Sequence, residues 1–144
     1  MISLRMAQEL KRAGLVWRTE LLDFFGIPDR GMDDKAFVLT DVMATVELLQ
    51  GWPVVAFHGA AEWALDHIFT SEIVWLPTEE QLRMQVEQAL APDAWMALAR
   101  EAGGYRCDFD YGGRRLSFPA ATAAEAYAAG LLHVLQAQIS NSDV

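Results

Sequence analysis

The sequence predicts a single α+β domain over residues 1–144, with a small, mainly antiparallel sheet packed against N- and C-terminal helices. Three observations predict it. Tyr105, Cys107, Phe109 and Tyr111 alternate with Arg106, Asp108 and Asp110, the period of a strand with one buried face. Gly112-Gly113 then supplies two positive-φ positions for a tight C-terminal β-hairpin, and Thr122 opens an amphipathic helix over residues 122–139. Finally, a strand, a proline and a capping box occur together twice. Ile73-Val74-Trp75-Leu76-Pro77 leads into Thr78-Glu79-Glu80-Gln81, and Leu116-Ser117-Phe118-Pro119 leads into Thr122-Ala123-Ala124-Glu125. The remainder does not repeat, so these are two strand-to-helix units and not a solenoid.

Taken in order, Ser3 caps a first helix whose apolar residues Leu4, Ala7 and Leu10 return every three positions. Gly14 suits the C′ position, with Leu15 packing back across the end. Residues 16–25, rich in apolar and aromatic side chains, read as an extended segment, and 27–35 as an exposed loop. Residues 36–39 form a short buried strand. Thr40 or Asp41 caps a helix over 42–50 that Gly51 closes, although β-branched residues run through it. Residues 53–57 are a second apolar strand, ended by His58-Gly59; a helix over 60–69 and a strand over 72–76 follow. Asp93 caps a further short helix that ends near Gly103-Gly104.

The terminal hairpin carries the most specific geometry. A two-glycine turn sets Asp110 opposite Arg115, Phe109 opposite Leu116 and Cys107 opposite Phe118. Charges then meet on one face and apolar groups on the other. On the last helix, Ala124, Tyr127, Ala128, Leu131, Leu135 and Ile139 make a broad apolar stripe, and the alanines and Gly130 allow close approach to a sheet. Burying Leu131 or Leu135 there contributes about 1.5–3 kcal/mol each.

Composition bounds the rest. A chain of 144 residues buries about 68–70% of its unfolded surface, enough for a core without disulfides or metal. A hydrophobic content of 53% and five tryptophans argue against disorder and hint at a homo-oligomer. With 11 Lys+Arg against 20 Asp+Glu, the net charge of −9 repels phosphate backbones and anionic headgroups over a Debye length of about 8–10 Å. Nucleic acid and membrane surfaces are therefore not expected partners. No apolar run reaches the length of a membrane span and no leader pattern opens the chain, so a cytoplasmic location is expected. The sole cysteine, Cys107, falls on the apolar strand face and reads as a small core residue.

His58, Glu62 and Asp66 are the candidate metal ligands, because Glu62 and Asp66 at an i, i+4 spacing share a helix face toward which His58 can turn. Against them stands the absence of HExxH, HxxxH or paired CxxC spacing. No GxSxG, GxxxxGK[ST] or GxGxxG occurs, so neither a serine nucleophile nor a nucleotide cofactor is expected. A Cys107–His133 pair is disfavoured, since the two point to opposite sides. Candidate partner-binding residues are Trp52, at a strand entrance between Gly51 and Pro53, and Arg106, Asp108 and Asp110 on one solvent-facing strand face.

The N-terminal pattern Ser3-Leu4, Ala7, Leu10-Lys11 and Ala13-Gly14, with Thr122, Glu125 and Ala126, resembles a loose group of small uncharacterised bacterial and phage proteins. Gly51-Trp52-Pro53 and Glu62-Trp63-Ala64-Leu65-Asp66 are similar to a narrower subset. Some members are labelled pilus assembly proteins, a label that implies a phosphate-binding loop. The resemblance brings no catalytic residues.

The function these readings favour is a non-enzymatic cytoplasmic interaction or accessory module that needs no cofactor. One alternative is a small, hydrolase-like, metal-dependent enzyme using His58, Glu62 and Asp66. Another is an acidic decoy binding a nucleic-acid-binding partner. If the preferred reading holds, zinc or manganese leaves the thermal midpoint unchanged. A rise that His58→Ala abolishes would establish the metal site instead.

Overall fold

The computed structural model describes residues 1–40, 44–57 and 67–142. In chain order these form α1 (Leu4–Arg12), β1 (Phe24–Gly26), β2 (Phe37–Val38), β3 (Ala44–Leu49), β4 (Trp52–Phe57) and β5 (His67–Phe69). A 3₁₀ turn, Thr70–Glu72, leads to β6 (Val74–Trp75), α2 (Glu79–Ala89), β7 (Met96–Glu101), β8 (Gly104–Tyr111), β9 (Arg114–Ala120) and α3 (Ala123–Ser142). The α+β class is as predicted. The strands lie in three antiparallel sheets of three, ordered β2-β1-β6, β3-β4-β5 and β7-β8-β9, where one small sheet was expected. The chain divides into two compact units, one joining Met1–Leu15 to Pro77–Val144, the other comprising Val16–Leu76.

The first unit follows the sequence closely. Ser3 Oγ accepts from the Met6 amide at 3.1 Å and caps α1. At the other end Gly14, at φ 103°, donates to Lys11 O, and Leu15 donates to Leu10 O at 3.0 Å. That pair of bonds is a Schellman motif, which only a left-handed residue at Gly14 permits. The capping box of α2 is complete: Gln81 N donates to Thr78 Oγ1 at 3.2 Å, and Thr78 N donates to Gln81 Oε1 at 2.9 Å. At α3, Thr122 Oγ1 accepts from the Glu125 amide at 3.1 Å. The Glu125 carboxylate, expected to reach back to Thr122, accepts from the Ser3 amide at 2.8 Å and ties the start of α1 to the start of α3.

The hairpin register is the predicted one, with Asp110 opposite Arg115, Phe109 opposite Leu116 and Cys107 opposite Phe118. Gly112 and Gly113 have φ of 61° and 76°, the two left-handed positions of a type I′ turn. Cys107 and Phe109 are fully buried on the face that α3 covers. The Phe109 and Phe118 rings stack at 5.3 Å between centroids. Gly130 is why the helix can lie so close: a Cβ there would sit 2.7 Å from Phe109 Cε1 and 3.3 Å from Phe118 Cδ2. Ala126, Ala128, Leu131 and Val134 are buried around it, with Leu82 and Val86 of α2. The apolar stripe is thus covered along its first turns only; Leu135 is half-buried and Ile139 is exposed.

One element of this unit differs in kind. The short helix expected after Asp93 is β7, paired with β8 from Met96 opposite Phe109 to Glu101 opposite Gly104. Alanine-rich composition favours helix only weakly, and pairing along an already formed hairpin overrides it. Gly103, at φ 87°, closes the β7–β8 connection.

In the second unit, the helix expected over 42–50 is β3 across Ala44–Leu49, antiparallel to β4. Gln50 and Gly51, at φ 52° and 85°, form a two-residue turn, so the glycine that suits a helix end closes a hairpin. Of the helix expected over 60–69, residues 60–66 lie outside the described residues, and His67–Phe69 form strand β5 against β4. The predicted strands at 36–39 and 72–76 shorten to β2 and β6, and 16–25 contributes only Phe24 and Phe25 to a strand. The rest of that segment is a loop organised by Asp23, which is buried. Its Oδ2 accepts from Trp17 Nε1 and from the Glu20 amide, each at 2.9 Å, while Leu22 N donates to Leu39 O at 2.8 Å. These bonds hold Leu22 at φ 72°, an uncommon angle for a branched side chain. Phe25, Ile27, Leu39, Ala44, Val55, Ile68 and Ile73 form the core of this unit, with Trp17 and Phe37 packed against it.

Gly130→Val should destabilise the chain by about 1–3 kcal/mol, because the added methyls overpack the Phe109–Phe118 stack. Chemical denaturation of the variant measures this; an unchanged midpoint would contradict the close helix–sheet approach.

Candidate functional site

Two surfaces of the described residues carry the candidate partner-binding side chains. The first is the face of the β7-β8-β9 sheet opposite α3. Strand alternation places Arg106, Asp108 and Asp110 of β8 on it, and cross-strand pairing brings Ser117 opposite Asp108 and Arg115 opposite Asp110. Arg106 Nε donates to both carboxylate oxygens of Asp108, at 2.9 and 2.8 Å, and its Nη1 pairs with Glu101 at the end of β7. Arg115 donates from Nε and Nη2 to the two oxygens of Asp110, at 2.9 and 3.2 Å. Its guanidinium carbon lies 3.9 Å over the ring of Trp95, a cation–π contact. Glu101, Arg106, Asp108, Arg115 and Asp110 thus form a ladder of alternating sign, ended by an aromatic ring.

Asp108 departs from expectation. It shares the predicted face, yet it is only 7% exposed, because Arg106 folds along the strand onto it and Ser117 lies across from it. Burial alone would raise its pKa. The hydrogen bonds from Ser117 and Arg106, with the charges of Arg106 and Arg115, outweigh burial and hold the carboxyl below its ordinary value of 3.8. Asp110 is also held low, chiefly by its hydrogen bond from Arg115. Both groups are therefore ionised and engaged at neutral pH, and neither has the raised pKa of a general acid.

The neighbouring groups give no nucleophile. Burial, with a smaller contribution from the Asp108 charge, pushes the Cys107 thiol up to about 11, so it stays protonated at neutral pH. His133 is exposed on α3, with its ring 5.5 Å from Phe118, while Cys107 is fully buried.

The second surface is the β3–β4 hairpin of the other unit. Val54 and Val55 are both buried, so β4 is covered on both faces near its middle. Toward the Gln50-Gly51 turn that cover ends. Leu48 is 76% exposed and Trp52 67%; Val46 and Leu49, and Phe69 on β5, are exposed as well. Leu48 pairs with Pro53 and Leu49 with Trp52, so both faces of the hairpin tip present apolar groups. Glu47 is the single charged residue in β3 and β4.

His58, Glu62 and Asp66 lie outside the described residues, and among the described residues no group of three His, Cys, Asp or Glu side chains is placed to hold a metal ion. A depression of about 290 Å³ lies beside the β7–β8 turn, lined by Glu101, Gly103, Gly104, Tyr105 and Pro119. A Cβ on Gly104 would meet Ala120 O at 2.4 Å, so this corner is closed by backbone and not by reactive side chains. Among the described residues, no acceptor faces the buried Trp75 indole N–H. Among the described residues, no helix is long and apolar enough to cross a membrane. No protein-family profile matches the chain, and neither the curated proteins nor the solved structures contain a match.

Sequence reading found Arg106, Asp108, Asp110 and Trp52 but missed Glu101, Trp95 and Asp23. Recognising β7 would have found the first two, since Trp95 O accepts from the Asp110 amide at 3.0 Å and so sits beside Arg115. Asp23 left no signal, since nothing in the stretch 16–25 sets it apart from Glu20.

Because the folded-state pKa of Asp108 is depressed, its stabilising contribution is full above its unfolded value, near 3.9, and is lost as pH falls through the folded one. Asp108→Asn should therefore be less stable than the parent at pH 7, and the gap should narrow below about pH 4. Urea unfolding across pH measures it; a gap independent of pH would contradict the ion-paired assignment.

Proposed function

We propose that the chain is a non-enzymatic cytoplasmic interaction or accessory module that engages a protein partner through the β3–β4 hairpin. The observation that carries this reading is the exposure of Leu48 and Trp52 at the tip of a hairpin whose middle is buried. Exposed aromatic and aliphatic side chains are the usual anchors of protein contacts, and here Leu48 stands on one face of the tip and Trp52 on the other. A turn of defined geometry holds them in place, which lowers the entropy lost on binding. The ladder from Glu101 to Asp110 supports the same reading in a subsidiary way. Its carboxylates are paired with arginines, so it resembles a specificity-setting rim more than a reaction centre. That pairing also lends no weight to an acidic decoy, which would need unneutralised acids on one face.

The immobilised chain should retain one cellular protein, or a second copy of itself. Arg106→Gln should retain it nearly as well, whereas Leu48→Ser/Trp52→Ser should weaken it by about thirty-fold or more, the effect of losing one hot spot. Equal retention by all three proteins would contradict the hairpin assignment. No retained protein, combined with a 16.0 kDa species by light scattering at high concentration, would contradict the module itself.

A further inference from the structure

No further inference is drawn: the strongest candidate, the exposed apolar tip of the β3–β4 hairpin with Val46 and Leu48 on one face and Trp52 and Phe69 on the other, belongs to the surface already described, and nothing among the described residues shows what covers it.

Discussion

The register set by Gly112 and Gly113 is the constraint on which the C-terminal unit depends. With both residues left-handed, the turn takes two residues and every side chain of β8 has a fixed face. Cys107 and Phe109 go under α3; Arg106, Asp108 and Asp110 go to the other side. A slip of one residue would exchange the two sets, placing two carboxylates and a guanidinium beneath Leu131 and Val134. Where the Phe109 and Phe118 rings stack, α3 can come close only at a residue without a side chain. Gly130 fills that role, and small residues at 126 and 128 extend it. The charged set, excluded from the core, is left to satisfy itself by arginine–carboxylate pairing.

The second unit answers a different constraint. Its strands in the β2-β1-β6 sheet are two or three residues long, too short to hold one another by ladder bonds alone. A buried aspartate and a cluster of large apolar side chains supply what the ladders lack. Asp23 gathers an indole N–H and a backbone amide onto one oxygen, fixing the loop that leads into β1. The core of Phe25, Ile27, Val55 and Ile68 joins residues from both small sheets of that unit. The hairpin extends past this core, and its tip carries apolar groups that the packing does not use.

Legibility followed the same physics. Elements defined by local chemistry were plain in the sequence: the Ser3 cap, the Thr78–Gln81 box, the Gly14 end and the two-glycine hairpin. Elements defined by distant pairing were not. β7 has a helix-former composition and becomes a strand only because β8 offers it an edge, and β3 was masked by a glycine equally at home after a helix. Of the candidate surfaces, Trp52 was legible from its position between a glycine and a proline. The burial of Asp108 was not, because it depends on how Arg106 folds across the strand. Chemistry was legible mainly as missing motifs, which is why the functional reading rests on a surface and not on a reaction.

The hairpin tip is surplus to the fold. Reversible unfolding of Leu48→Ser/Trp52→Ser tests this most directly. Loss of cross-strand contacts alone should lower stability by less than about 1 kcal/mol. A loss above about 3 kcal/mol would mean that these side chains are core, and would contradict the account.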